Sequence, residues 1–308
     1  MTLSKRSLCC ALPLSMVLFA IPAVVAQSQT QASCRFNLFR LPEEMDTSEP
    51  TGINDYGVVV GRAFDSDGGE RGFTRSPEGA ITYYSAPNAE PSYRSYTYFT
   101  DRNDGGIRIG NYAANQTGAV QKGFLLNGTD FSPIAFPKAA RATYANGINK
   151  WNSVVGYYID AIGNGHDHGF KRFSNGSFVT LDYPGAPQTV AAGINDSGAI
   201  VGSYCLSCNT EARHGFIYFK GGWATLDYPK AAYTSLNGIS NDGVIIGRSN
   251  STKQGTAFLY ENGVFKVISV PDAFSTSADG ISADGLITGK TNLDNTATGW
   301  RGFSATCK

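Results

Sequence analysis

"GINDSGAIVGSY", residues 193–204, recurs in altered form as "GINDYGVVVGRA" from Gly52, "GINKWNSVVGYY" from Gly147, "GISNDGVIIGRS" from Gly238 and "GISADGLITGKT" from Gly280. Aligned on the glycine of its second half, the run gives Gly61, Gly110, Gly156, Gly202, Gly247 and Gly289, at intervals of 49, 46, 46, 45 and 42 residues. A phenylalanine step keeps the same period, at Gly72-Phe73, Gly123-Phe124, Gly169-Phe170, Gly215-Phe216, Ala257-Phe258 and Gly302-Phe303. So does a proline, at Pro42, Pro87, Pro137, Pro184, Pro229 and Pro271. Three independent landmarks at one period mark an internal repeat.

One unit reads as four short strands: Thr189–Asn195 (strand a), Ala199–Tyr204 (b), His214–Lys220 (c) and Trp223–Pro229 (d). Asn195-Asp196-Ser197-Gly198 turns a into b, with a side chain able to bond its own backbone and a glycine for positive φ. Asn127-Gly128, Asn175-Gly176, Gly221-Gly222 or Asn262-Gly263 turns c into d, a strong hairpin signal. Proline then ends strand d, since it cannot donate to a ladder. Such a meander cannot bury both faces alone, so units of this length stack radially. The expectation is an all-β fold: a six-bladed β-propeller of four-stranded antiparallel blades. The glycine before Ile lies on the innermost strand, where blades crowd the axis.

The sixth unit stops after "WRGFSATCK" without a strand d, while "CRFNLFRLP", residues 34–42, matches "SFVTLDYP" up to the proline. The ring is therefore expected to close by an N-terminal strand that completes the last blade. Closure brings Cys34 to Cys307 across that hairpin, and a bond there is worth roughly 5 kcal/mol at most in the chain-entropy model.

The Gly-Ile-Asn/Ser run, the His/Arg-Gly/Ala-Phe step and the Tyr-Pro step resemble the HAF repeats of probable extracellular bacterial proteins, over residues 34 to 307. The second unit departs, with Asp101-Arg102-Asn103 where Gly-Ile-Asn is expected. The resemblance implies secretion and a repeat fold, and carries no catalytic residue to transfer.

The 308 residues carry 25 basic and 25 acidic side chains. That balance leaves no electrostatic footprint for nucleic acid or an anionic membrane. Lys5 and Arg6 precede an apolar run ending in Val24-Val25-Ala26, which reads as a signal peptide over 1–26 rather than an anchor, because the run is short and contains Pro13 and Pro22. Residues 27–33 are expected to be a short disordered segment and 34–308 the propeller. The mature protein is expected outside the cytoplasm, extracellular or periplasmic, and as a monomer. It keeps Cys34, Cys205, Cys208 and Cys307, an even number suited to two disulfides, with Cys205–Cys208 as a local clip.

In a meander blade the a–b and c–d turns share one rim. The b–c and d–a connections share the other, and these are the long, irregular ones, so ligand contacts are expected there. The residue after the motif glycine leads onto that rim: Arg62, Asn111, Tyr157, Ser203, Arg248 and Lys290. The most irregular connection, Pro87 to Gly110, carries Tyr93, Arg94, Tyr96 and Tyr98. Rigid aromatics with Arg suit a sugar or peptide, although packing of an oversized loop explains them more simply.

His166-Asp167-His168, with Asp160 as a further ligand, invites a metal reading. His168 and His214, however, hold the repeat position of Arg71, Lys122 and Arg301, which favours a structural role. Asp65 to Glu70 lacks a full calcium-loop pattern and reads as a solvated loop. No metal and no cofactor is therefore expected. The sequons at Asn115, Asn127, Asn175, Asn195 and Asn250 coincide largely with turn chemistry, and no nucleophile elbow, P-loop or dinucleotide fingerprint occurs.

Two functions remain. The first is a secreted binding or scaffolding module for an extracellular glycan, peptide or protein. The second is a secreted polysaccharide-acting enzyme, a lyase or glycosidase with its site in the axial funnel. The candidate ligand residues are Arg62, Tyr93, Arg94, Tyr157, Asp160, His166, Arg248 and Lys290. Arg62, Tyr157 and Arg248 around a common funnel with a carboxylate would favour catalysis or an acidic ligand.

Overall fold

The computed structural model describes residues 29–42, 45–65, 69–87, 96–113, 120–139, 141–160, 165–208, 212–252, 255–296 and 299–308. The signal peptide expected over 1–26, residues 66–68 of the Asp65–Glu70 loop, Asn115, Tyr93 and Arg94 lie outside these residues. Every regular element among the described residues is a strand, and the arrangement is a β-propeller. No described helix is long and apolar enough to cross a membrane.

Near the N-terminus come β1 (Thr30–Gln31) and β2 (Cys34–Phe39). Meanders follow: β3 (Met45–Ile53), β4 (Val59–Asp65), β5 (Glu70–Arg75), β6 (Ile81–Tyr84); then β7 (Thr97–Arg102), β8 (Arg108–Ala113), β9 (Gln121–Asn127), β10 (Asp130–Ile134). Next are β11 (Ala142–Ile148), β12 (Val154–Ile159), β13 (Asp167–Arg172), β14 (Phe178–Leu181), and β15 (Gln188–Ile194), β16 (Ile200–Cys205), β17 (His214–Phe219), β18 (Gly222–Thr225). The chain ends with β19 (Thr234–Ile239), β20 (Ile245–Ser249), β21 (Thr256–Glu261), β22 (Val264–Ile268), β23 (Ser275–Ile281), β24 (Ile287–Asn292) and β25 (Trp300–Cys307).

The repeat predicts six separate four-stranded sheets, whereas the hydrogen bonding gives five. Three are four-stranded: β3-β4-β5-β6, β15-β16-β17-β18 and β2-β25-β24-β23. The β7–β10 and β11–β14 meanders merge into one eight-stranded sheet through a single parallel pair, Ala142 with Gln121. β1 adds a fifth strand, parallel to β22, to the β19–β22 meander. Of the segment expected to be disordered over 27–33, residues 29–33 are described, and there Thr30 and Gln31 pair with Lys266 and Val267 and Ala32 is buried. β2 pairs antiparallel with β25 from Cys34 opposite Cys307 to Phe39 opposite Gly302, and Cys34 is disulfide-bonded to Cys307. Cys205 is bonded to Cys208.

The recurrence of glycine with phenylalanine has a direct cause. Each motif glycine pairs across the ladder with the landmark Phe, as Gly61 with Phe73 and Gly202 with Phe216. The ring folds over the bare Cα: a Cβ on Gly202 would come 2.8 Å from the Phe216 ring. All six landmark rings are fully buried, at 0% exposure. Each contributes about 1.5–3 kcal/mol of burial, and substitution of one by Ala costs about 3–5 kcal/mol.

Strand a carries a β-bulge in every copy of the motif, at Pro50/Gly52, Phe99/Asp101, Ala145/Gly147, Ala191/Gly193, Leu236/Gly238 and Ala278/Gly280. A bulge inserts one residue and re-aims a side chain. The residues between are Thr51, Thr100, Asn146, Ala192, Asn237 and Asp279, and they line the axis. The following glycines abut one another: a Cβ on Gly193 would lie 2.8 Å from the Cα of Gly238, and one on Gly280 2.8 Å from the Cα of Gly52. In the departing copy Asp101 fills this seam, and its carboxylate accepts from the N–H of Arg102 at 2.8 Å and of Ile148 at 2.9 Å.

The motif Asn does more than close a turn. Asn149 Oδ1 accepts from Ser153 N at 3.1 Å within its own turn, while its Nδ2 donates to the Asn195 carbonyl of the next copy at 3.1 Å. Asn103 and Asn195 act in the same way, donating to the Asn149 and Ser240 carbonyls.

Candidate functional site

A cavity of about 440 Å³ runs along the axis, walled by strand a of each motif copy. The bulge explains why these side chains meet: it turns the residue before Gly52, Asp101, Gly147, Gly193, Gly238 and Gly280 off the ladder and toward the axis. Several are held by the neighbouring copy. Thr51 Oγ1 donates to the Phe99 carbonyl at 2.9 Å, Thr100 Oγ1 to Ala145 at 2.7 Å, and Asn146 and Asn237 Nδ2 to Ala191 and Ala278, each at 2.9 Å. The wall is therefore fixed in place.

At the strand-exit end of this cavity lie Arg62, Arg248 and Lys290, together with Glu49, Tyr233 and Asp279. Glu49, paired with Arg62 across the β3–β4 ladder, also receives Lys290 from the last copy of the motif, so one carboxylate clamps cations from both ends of the sequence. Burial works to raise the Glu49 pKa, but Lys290 and Arg62 together hold it below the usual carboxylate range. Glu70, 3.9 Å from Arg62, is moved the other way, up, because burial outweighs that distant cation. Asp279 is raised by burial, against a 2.6 Å hydrogen bond from Ser277 Oγ and the fields of Lys290 and Arg248. Arg62 is braced over the Phe64 and Tyr98 rings, and Lys290 over Trp300. Arg248 is exposed and lies over the Tyr233 ring, 5.4 Å from its centroid.

The remaining sequence candidates lie elsewhere. Tyr157 stacks on Tyr144 with centroids 4.5 Å apart, and burial raises its pKa; neither ring lines the cavity. Asn111 bonds both backbone groups of Ala145 and Ser203 is buried, so only three of the six strand-exit residues reach the cavity. Asp160 and His166 belong to the turn after β12. Asp160 Oδ1 accepts from the His166 N–H at 3.2 Å, and Oδ2 lies 3.4 Å from His168 Nε2. His168 Nδ1 meets Asp182 at 3.0 Å and His214 Nδ1 meets Asp227 at 2.7 Å, the same repeat positions twice, which is the structural role their alignment implies. Among the described residues no group of three His, Cys, Asp or Glu side chains is placed to hold a metal ion.

Glu49, Tyr233 and the six bulge residues escaped the sequence reading. The latter left no periodic signal: the bulge position itself reads Thr, Thr, Asn, Ala, Asn and Asp, and the residue before it varies as widely, from Pro50 and Phe99 to Ala145 and Leu236.

No family model and no curated protein matches the chain. Among solved structures it is similar to a protein of unknown function from Dyadobacter fermentans, with 8% identity over 89% of this chain and 99% of that one, and a TM-score of 0.56. It is similar to AofleA from Arthrobotrys oligospora, with 13% identity, 86% of this chain, 84% of that one and a TM-score of 0.53. It is also similar to the fucose-specific lectin from Aleuria aurantia, with 12% identity, 87% and 96% coverage and a TM-score of 0.52. At such identities these likenesses show a shared β-propeller fold and leave activity to the site itself.

Proposed function

We propose that the chain is a secreted, six-bladed β-propeller of HAF-like repeats, closed by β2, that binds an extracellular glycan, peptide or protein in its axial cavity. The observation that carries the binding reading is the convergence of Arg62, Arg248 and Lys290 with Glu49, Tyr233 and Asp279 at one end of that cavity. Fixed cations beside the exposed Arg248 on a half-buried Tyr233 suit recognition of a polar, partly anionic ligand. Lectin chemistry in the Aleuria aurantia structure makes saccharide the first class to test. Secretion is supported by the charged-then-apolar N-terminal sequence and by two disulfides. Six blades and closure are supported by six motif copies and by the contacts between the first and last of them.

A second reading, an enzyme on polysaccharide, is favoured by one observation. Glu49 and Asp279 line the same cavity with pKa values pushed in opposite directions, the pattern of a base and an acid. A glycan array combined with a turnover screen separates the readings. Retention of a glycan without product, lost in the Arg248→Ala/Lys290→Ala double variant, supports the binding module. Product formation lost in Asp279→Asn would establish the enzyme, and neither binding nor turnover would overturn both.

A further inference from the structure

The opposite mouth of the cavity, where the a–b turns converge, has the reverse chemistry. Its turns carry Asp55, Asp104, Asp196, Asp242 and Asp284 against one turn cation, Lys150, with Arg102 on the adjoining cavity wall in the field of Asp104. The carboxylates are tied into an arc: the Asp284 N–H donates to Asp55 at 2.7 Å, and the Asp55 N–H donates to Asp104 at 2.9 Å. Burial, and after it the Asp55 and Asp196 charges, raise the Asp104 pKa, so these acids lie within one another's field.

Two further observations point to an occupant. Trp151 is 60% exposed yet fixed, because its indole N–H donates to the Asp196 carbonyl at 3.1 Å. Lys150 places its ammonium 5.0 Å from the Trp151 ring centroid and 3.5 Å from Asp196 Oδ2, a pose that an amine-bearing ligand would copy. Second, Asn54 is 2% exposed on the cavity wall, and its Nδ2 finds no acceptor, although Asn103, Asn149 and Asn195 all donate to the next copy. An orphaned buried amide is costly, and an oxygen from outside the chain would satisfy it.

We propose that the turn-side mouth binds an amino-sugar oligomer, a glycan bearing protonated amines, with one pyranose on Trp151, its ammonium replacing that of Lys150, and a hydroxyl oxygen farther along accepting from Asn54. A purely cationic peptide matches the carboxylates but brings no pyranose face for the indole. The inference rests on the axial cavity being a ligand site, and it concerns the mouth opposite Arg248 and Lys290.

Isothermal titration with a β-1,4-linked glucosamine hexamer at pH 6 and low salt tests it. Trp151→Ala should weaken binding at least tenfold, Trp151→Phe should keep most of it, and Lys150→Ala should strengthen it several-fold by vacating the ammonium position. The fully N-acetylated hexamer and hexalysine should each bind at least tenfold more weakly than the glucosamine hexamer. Equal binding by hexalysine, or indifference to Trp151→Ala and Trp151→Phe alike, would overturn the proposal. Failure of the hexamer while an array glycan still binds through Arg248 and Lys290 removes this inference alone. Failure of every glycan removes the cavity reading with it.

Discussion

The backbone N–H of Asp284 donates to the carboxylate of Asp55 at 2.7 Å, across 229 residues of chain. The contact joins the a–b turns of the first and last motif copies, and just inside it Gly280 meets Gly52. A Cβ on Gly280 would lie 2.5 Å from the Thr51 carbonyl oxygen and 2.8 Å from the Gly52 Cα. Backbone cannot yield as a flexible side chain does. Gly280→Ala is therefore expected to lower unfolding free energy by about 1–3 kcal/mol, the usual range for overpacking, in urea titration. A loss within error of zero would mean that this seam is looser than described.

The two disulfides should differ sharply in worth. Cys34 and Cys307 are 273 residues apart, Cys205 and Cys208 three. In the chain-entropy model the long closure is worth roughly 5 kcal/mol and the short one roughly 2 kcal/mol at most. Cys34→Ser should lower the melting midpoint clearly more than Cys205→Ser. Equal shifts would contradict the long bond as a structural closure.

Asp101 carries a pH dependence whose sign can be worked out. Burial pushes its pKa up to about 7 from the ordinary 3.8, against the two backbone N–H groups that favour its charged form. Between those values the folded protein holds a proton that the unfolded chain releases, so stability falls as pH rises through the window and levels off above it. The slope approaches about 1.4 kcal/mol per pH unit for one group. Asp279 and Glu70, also raised, add to it in the same direction. Asp101→Asn should flatten the decline measured by urea unfolding between pH 4.5 and 7. An unchanged slope would show that Asp101 is not the group responsible.

Glu49 works in the opposite sense. Its lowered pKa means that its stabilisation is complete above the unfolded carboxylate value and is lost as pH falls through the folded one. Its side chain is 22% exposed and that of Arg62 33%, so solvent discounts the pair, and Glu49→Gln should cost about 1–2 kcal/mol at pH 7. The gap between wild type and variant should close in acid. A gap that does not narrow at all as pH falls would assign the loss to packing rather than charge.

Much of the fold was legible because its causes are local and repeated. Gly202 must be glycine where Phe216 covers it, and Asn195 must reach both its own turn and the next copy, so each left a periodic trace in the sequence. The pairing of β2 with β25 was legible from the missing strand after "WRGFSATCK". The site was only partly legible. Arg62, Arg248 and Lys290 follow from the position after the motif glycine, yet Tyr157 at that position turns to Tyr144 instead. Which way such a residue turns depends on its cross-strand neighbour, Glu49 in one case and Tyr144 in the other, and that neighbour varies. The bulge residues were missed because a one-residue insertion leaves no mark on a period of about 45. The strand at Thr30–Gln31 was missed because a two-residue parallel pairing has no pattern to read.

The central claim, a closed ring of six units, is tested most directly by pairwise spin-label distances from Tyr56 to the equivalent a–b turn positions at Gly105, Trp151, Ser197, Asp242 and Asp284. A closed ring predicts that the distance rises to a maximum at Ser197 and falls again, so that Asp284 is about as near to Tyr56 as Gly105 is. A distance that grows steadily with each successive unit, leaving Asp284 the farthest, would contradict it.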